Sequence, residues 1–492
     1  MADSSAPTPR ATSNRSTTPQ SSGFADYISS GWAERVEPDV APREQAAFAA
    51  DRRARLSQLH RGKRLIVPAG AAKVRSNDTD YPFRTHTTFA HLTGWGSDAV
   101  SGSVLVMEPT ADGHTATLYF RPTAGRDTSE FYANPDVGEF WTGPRPSLSN
   151  VATDLGLETL PLVEFDAVLN LVDSSTLIVR DADRDITDQV DGRRLLTADS
   201  ENLEHDGDDE LSRDLSELRL VKDSYEVEEM RAAVNATQQG FDDVVGDLPN
   251  IVEHARGERL VEGTFNRRAR AEGNTVGYDT IAASGPHACI LHWTRNDGPV
   301  KPGDLILIDA GIELDSYYTA DITRTLPISG TFTEIQRRVY DAVLEAADAA
   351  FAIVRPGIKF RDIHAEAMRV IAEKTAEWGF LPVSAEESME ADKQFHRRYM
   401  VHGTSHHLGI DVHDCAAARR DMYLDGILEP GMVFTIEPGL YFQPDDLTVP
   451  AEYRGIGVRI EDDIVVTEDG AENLSVNIPR TADAVEAWIA RS

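Results

Sequence analysis

Four acidic side chains sit inside, or at the ends of, strongly apolar strand candidates: Asp309 in DLILIDAG, Asp321 in SYYTADITRTLPI, Glu437 in GMVFTIEPGLYF and Glu461 in GIGVRIEDDIVVT. Such strands fold by burying themselves, and a buried carboxylate is costly unless something pairs with it. The first two are the most constrained. A hairpin that reverses at LDSYY, centred near Asp315, sets Asp309 directly opposite Asp321. Like charges facing each other destabilise a sheet unless a cation lies between them. A slightly shifted register, with each Asp in its own turn, also fits the pattern. In VFTIEPGLYF, Thr435 and Glu437 share one strand face and Phe434 and Ile436 the other, so Glu437 taken alone reads as a solvent-facing strand residue. In GIGVRI, Val458 and Ile460 alternate with Arg459 and Glu461. A dinucleotide loop is excluded there, because the third glycine is missing and a strand follows instead of a helix.

The segment MVHGTSHHLGIDVHD places His402, His406, His407 and His413, four of the chain's 14 histidines, within twelve residues. His402 and His406 have helical i, i+4 spacing, but Gly403 stands where a zinc protease needs Glu, and Gly403 and Gly409 argue against one continuous helix. Taken together, Asp309, Asp321, Glu437 and Glu461 supply four carboxylates and His406 one imidazole. Those charges converge only if roughly four positive charges neutralise them, which two divalent cations provide. An oxygen-rich set with one nitrogen suits Mn²⁺ better than thiol-seeking zinc. Two ions ~3.5–4 Å apart, bridged by carboxylates, activate water for hydrolysis.

The rest of the chain bounds the setting. Against 48 basic residues stand 82 acidic ones, a net charge of −34, which argues against nucleic acid as a partner. No apolar run approaches the ~20 residues of a membrane span. Cys289 and Cys415 cannot build a disulfide framework, so a reducing, cytoplasmic setting is expected. Residues 1–45 open with a Ser/Thr/Pro-rich run and read as a disordered tail with no secretory h-region. A short helix is expected from about Pro42. An N-terminal α/β domain then spans 46–198, with strands at RLIVPAG, SGSVLVME, ATLYFRP and TLIVRD. Residues 199–217 carry nine acids and read as a solvated linker. A larger α+β domain fills 218–492, opening on a helix in LRLVKDSYEVEEMRAAVNATQQGFDDVV.

The order Asp-x₁₁-Asp, HGxSHxLGxDVHD, EPGLY and GxRIEDD closely resembles the pita-bread metallopeptidases, specifically the aminopeptidase P (Xaa-Pro aminopeptidase) family. The likeness covers residues 218–489 and extends to RSNDTDYPFRTHTTFAHLTGW at 75–95, which looks like that family's N-terminal module. It implies an α+β protein, an N-terminal α/β module followed by a pita-bread (creatinase/aminopeptidase-like) catalytic domain. Asp309 would bind one metal in bidentate fashion, Asp321 and Glu461 would bridge both, and His406 and Glu437 would complete the shell. A bridging hydroxide would attack the carbonyl preceding proline in Xaa-Pro-Yaa peptides, and the substrate's free amine would add a ligand. Glu437 matches the family's proton shuttle, His413 a stabiliser of the tetrahedral intermediate and His292, in ACILHWT, a histidine that positions substrate. His402 and Arg459 match residues lining the pocket on the proline side.

The resemblance further implies a homodimer or homotetramer in which the N-terminal domain narrows the cleft. His407 stands where some relatives carry an aromatic residue, which puts the pocket wall there in question. Residues before about 46 have no counterpart in that pattern. Prolidase, which cleaves Xaa-Pro dipeptides with the same ligands, is the nearest alternative. Methionine aminopeptidase usually lacks such an N-terminal domain. A non-catalytic binding module or a creatinase would have lost ligands, and here all five are present.

Overall fold

The computed structural model describes residues 18–19, 21–77, 79–197 and 205–491, and the chain divides into two compact units, Met1–Leu215 and Ser216–Ser492. In the first unit the four β-branched runs form strands β1 (Arg64–Pro68), β2 (Val104–Pro109) and β3 (His114–Phe120), then, after β4 (Glu158–Pro161), β5 (Thr176–Ile178). They make one mixed sheet in the order β4-β3-β2-β1-β5, with β1 antiparallel to β2 and parallel to β5. Ile66, Val104, Val106 and Ile178 on this sheet pack with Phe165, Val168 and Val190 into a core. The helix expected near Pro42 runs from Gln45 to Leu59 (α1).

Two expectations change here. Of the tail expected to be disordered, residues 1–17 and 20 lie outside the described residues, but from residue 21 the chain is placed. A helix at Ser22–Ile28 is followed by an extended stretch whose Trp32 packs edge-on against Phe131, with ring centroids 5.6 Å apart. Arg35 pairs with Glu139 at 2.7 Å, and Arg43 with Asp98 at 3.0 Å. Beyond residue 21 the chain brings in Phe24, Tyr27, Trp32, Arg35 and Arg43, and such side chains make ring and ion-pair contacts that a Ser/Thr/Pro run lacks. The acidic segment also departs from a solvated linker. Residues 198–204 lie outside the described residues, while Asp206–Leu218 is a helix, α3, after α2 (Arg184–Thr197). Asp208 is buried, accepting from Arg194 Nη2 at 2.7 Å, Arg180 Nη1 at 3.0 Å and the Ile178 amide at 2.9 Å. Leu211 and Leu215, one helical turn apart, are buried as well.

The second unit runs through one plan twice, a helix pair followed by antiparallel strands. Helix α4 (Ser224–Glu253) starts later than LRLVKD, because Asp223 and Glu226 close a capping box at its N-terminus. Helix α5 (Gly257–Glu272) packs on it and leads to β6 (Ile281–Ser284), β7 (Leu305–Ala310) and β8 (Ile322–Pro327), a sheet in the order β8-β7-β6. Helices α6 (Glu334–Ile353) and α7 (Phe360–Glu377) precede β9 (Val433–Ile436), β10 (Gly439–Tyr441), β11 (Gly457–Arg459), β12 (Asp462–Val466) and β13 (Ala471–Asn473). These pair as β9-β12-β13 and β10-β11. Ala350, Phe360, Ile363, Phe434, Ile436 and Ile464 form a core between the helices and the second sheet, each large side chain contributing ~1.5–3 kcal/mol. The fully buried Arg324 on β8 ties the sheets together, donating to the Glu461 carbonyl at 2.6 Å and to Asp462 Oδ1 at 2.7 Å.

Candidate metal centre

Strand β7 carries Asp309 and β8 follows Asp321, and the hairpin between them has its own register. Asp309 faces Thr323, and Ala310 faces Ile322, so Asp321 lies two positions from the direct pairing expected. The turn is the cause. Leu314 N–H bonds the Tyr318 carbonyl at 3.0 Å, leaving a three-residue loop closed by Tyr317 at φ +73°. A slip of two keeps the side-chain alternation, so both Asp side chains still project from one face. The Tyr278 hydroxyl lies 2.7 Å from Asp309 Oδ1 and 2.6 Å from Asp321 Oδ1. Gly311 is required beside them, since a Cβ there would run into the Ala320 carbonyl.

The second pair comes from a broken hairpin. Ile436 faces Asp462 and Gly439 faces Arg459, one register shared by both strand pairs, and that register sets Glu437 opposite Glu461 where Pro438 interrupts the ladder. Thr323 Oγ1 donates to Glu461 Oε2 at 2.7 Å, which draws this pair to the end of β8. The histidine segment is laid against β9. The Thr435 amide bonds the His406 carbonyl at 3.0 Å, and the Glu437 amide the Thr404 carbonyl at 2.9 Å. His406 Nε2 then lies 3.3 Å from Asp321 Oδ2 and 3.5 Å from Glu437 Oε1. Donor atoms of Asp321, His406 and Glu461 all lie within 4.8 Å of one another. The five residues expected to bind metal thus meet at one cavity of about 520 Å³.

The charges of this cluster do not balance by themselves. Burial first, then neighbouring carboxylates, lift Glu437 to about 7 against the pull of His406 and Arg459, and lift Glu461 well above the ordinary range. Burial also raises Asp309, opposed by Arg459, whose Nη2 donates to Asp309 Oδ2 at 2.5 Å. Burial disfavours the imidazolium of His406, yet Asp321 and Glu437 outweigh it and push it up to about 9. Four carboxylates and one imidazole are a donor set that fits a pair of hard divalent cations, with Arg459 supplying one further positive charge beside them.

The comparisons agree with this chemistry. The chain is 53% identical over 473 residues to Xaa-Pro aminopeptidase 2 of Streptomyces coelicolor, covering 96% of this chain and 97% of that one. It is 33% identical over 457 residues to the Xaa-Pro aminopeptidase of Escherichia coli, covering 89% and 96%. The metallopeptidase family M24 model matches residues 228–468, and the aminopeptidase P N-terminal domain model matches 48–179. The chain belongs to metallopeptidase family M24. Among solved structures, the low-pH form of E. coli aminopeptidase P superposes with a TM-score of 0.78 at 30% identity, over 91% of this chain and 99% of that one. The α+β, pita-bread architecture and the metallo-exopeptidase class follow from that membership.

The remaining expected site residues of this M24 chain line the same cavity. His292, His402, His413 and Arg459 all border it. His413 stands edge-on to His406, ring centroids 4.5 Å apart, and burial, then His406, lowers its pKa. His402 Nδ1 lies 3.5 Å from Glu437 Oε2, and its Nε2 lies 2.8 Å from the Tyr441 hydroxyl, which accepts from Arg459 Nη1 at 3.1 Å. A chain of contacts therefore runs from His402 through Tyr441 and Arg459 to Asp309. Burial, then Arg459, pushes His402 down to about 3, so it is neutral. His407 is not a wall residue. It is buried behind the site, stacked on Phe360 at 4.5 Å. Sequence reasoning missed Tyr278 and Tyr441. Tyr441 lies inside the EPGLY motif and was legible there, whereas Tyr278, in GYDTIAAS, carries no spacing signal.

Proposed function

We propose that this enzyme releases the N-terminal residue from peptides whose second residue is proline, Xaa-|-Pro-Yaa, using two divalent cations, Mn²⁺ foremost. The observation that carries the reading is the meeting of Asp309, Asp321, His406, Glu437 and Glu461 at one cavity that His292, His402 and His413 also line. Relatives at 51–53% identity are named Xaa-Pro aminopeptidase, which supports the same activity here and disfavours prolidase.

The five residues would hold the cations. Bound there, the cations would bring the pKa of water towards neutrality and polarise the scissile carbonyl. Glu437, within 3.5 Å of both His402 and His406, takes the proton of the attacking water and returns it to the proline nitrogen. His413 donates an N–H to the oxygen that becomes negative. His292 positions the substrate from the cavity wall, and His402 with Arg459 borders the space for the proline ring. Proline has no N–H and a fixed φ, so a site shaped to the ring selects it. We infer a homodimer or homotetramer, and a cytoplasmic setting, the latter supported by two buried, unpaired cysteines. No helix among the described residues is long and apolar enough to cross a membrane. The proposed domain limits are 46–198 and 218–492.

The test is an assay on metal-stripped protein before and after adding Mn²⁺, with an Xaa-Pro-Yaa tripeptide beside an Xaa-Pro dipeptide. Metal-dependent release of the first residue from the tripeptide is expected, with little dipeptide cleavage. Preference for the dipeptide would make the enzyme a prolidase. Glu437→Ala should reduce turnover by orders of magnitude, and near-wild-type activity with metal restored would remove Glu437 from the mechanism.

A further inference from the structure

A long connection between β6 and β7 delivers Leu291, His292 and Thr294 to the cavity. Most of this connection has no regular structure; a short 3₁₀ turn at Gly285–Cys289 is followed by irregular backbone. Its front is tied down near β10: Cys289 Sγ donates to the Phe442 carbonyl at 3.3 Å, and Gln443 Nε2 donates to the Cys289 carbonyl at 2.8 Å. Beyond His292 the loop needs another anchor.

That anchor is one carboxylate. Glu258, in the first turn of α5, is fully buried. Its Oε1 accepts from the Ser284 amide at 2.8 Å and from His287 Nδ1 at 2.7 Å. Its Oε2 accepts from Trp293 Nε1 at 2.9 Å and from the Gly298 amide at 2.6 Å. The Glu258 amide also bonds the Gly298 carbonyl at 3.2 Å. The four donors come from both sides of His292, and Trp293 is its direct neighbour. The His287 ring stacks on the Trp293 indole at 3.8 Å, which leaves the indole one orientation. Asn296, fully buried at φ +46°, adds a second fastening by accepting from the Ala282 amide at 3.0 Å and donating to the Thr280 carbonyl at 2.8 Å.

We propose that Glu258 is the positioning residue for His292: it fixes the 290–298 loop so that the imidazole is held at the cavity wall before substrate arrives. This rests on the aminopeptidase reading for what His292 then does. Carboxylate oxygens accept and cannot donate, so all four N–H groups are satisfied by one rigid group on a helix. An amide in its place presents an NH₂ to two of those donors and leaves them unpaired in a buried site. A shift of the loop by an ångström is enough to lose ~10²-fold in rate.

The experiment compares Glu258→Gln, His292→Ala and the double variant with the wild-type enzyme, all loaded with Mn²⁺ and with metal content measured. Glu258→Gln should bind the full complement of metal, lose roughly 10²-fold in kcat on the tripeptide, and cost nothing further once His292 is alanine. Amide exchange should quicken at Ser284 and Gly298 and be unchanged in α6 and α7. Wild-type kcat in Glu258→Gln, or losses that multiply in the double variant, would overturn the proposal, since a purely structural residue acts independently of His292. Should Glu258→Gln fail to fold, Trp293→Phe removes one donor and keeps the stack. A smaller loss that vanishes in the His292→Ala background then supports the proposal, and a multiplicative loss overturns it. A wild-type enzyme that leaves the tripeptide intact would sink the aminopeptidase reading instead, and the exchange rates at Ser284 and Gly298 would then decide the claim about the loop.

Discussion

Glu437 stands opposite Glu461 in a register that two strand pairs share, with the ladder broken between them at Pro438. His406 and Arg459 offset only part of the charge gathered around this pair, and a bound cation would offset the rest. Chelation should therefore lower the melting temperature, and Mn²⁺ at ~100 times its Kd should restore it by roughly 5–10 °C. Scanning calorimetry on stripped and reloaded protein reads the shift. A melting temperature indifferent to metal would mean that the cluster is balanced by its own side chains.

The Tyr278 hydroxyl touches both Asp309 and Asp321 but has one proton to give. It would orient these two carboxylates without supplying charge. Tyr278→Phe should leave the fold intact and weaken metal binding by ~10–100-fold, measured by titrating stripped protein with Mn²⁺. Unchanged affinity would reduce Tyr278 to a wall residue.

The difference between what could and could not be seen in the sequence lies in separation along the chain. Each apolar strand with a carboxylate was visible locally, as were HGTSHHLGIDVHD and the helical periodicity of α4, because periodicity and spacing are local properties. The pairing of Asp309 with Thr323 was not, since it depends on Tyr317 taking a left-handed conformation that side chains rarely adopt. The expected convergence survived that error because a slip of two preserves the face. Asp208 was lost in a run of nine acids, where nothing local distinguishes the one that meets Arg180 and Arg194 from those facing water. His407 beside His406 posed the same problem, and only packing against Phe360 separates them.

His364 on α7 carries a pH dependence into the histidine segment. Its Nδ1 lies 3.0 Å from Thr404 Oγ1, and its Nε2 accepts from Arg397 Nη1 at 2.8 Å. Burial, then the charges of Arg397 and His396, lower its pKa to about 4. The unfolded chain takes up a proton near 6.5 while the native one does not until about 4, so this contribution to stability is complete above 6.5 and lost as pH falls towards 4. Melting temperatures across that window should fall more steeply for the wild type than for His364→Gln. Parallel curves would show that His364 is already protonated in the native state.

Asp414 is the acid that holds the histidine segment from behind. It accepts from Arg219 Nε at 2.8 Å and lies 3.3 Å from Lys222 Nζ, with all three side chains largely or fully buried. Its amide bonds the His407 carbonyl at 3.0 Å, so the clamp fixes the backbone on which both His406 and His413 ride. Burial opposes its charge, but Lys222 and Arg219 outweigh that and hold it at about 2. Its pKa is depressed on folding, so its contribution is present above ~4 and lost as pH falls through about 2. At neutral pH, Asp414→Asn keeps the shape and leaves two buried cations facing a neutral amide, a loss of ~3–5 kcal/mol. Adding Lys222→Met should recover part of it, because a buried charge without its partner costs more than no charge. Thermal melts at pH 7 check both variants. If Asp414→Asn melts with the wild type, the clamp contributes nothing, and the placement of His413 must come from the β9 contacts alone.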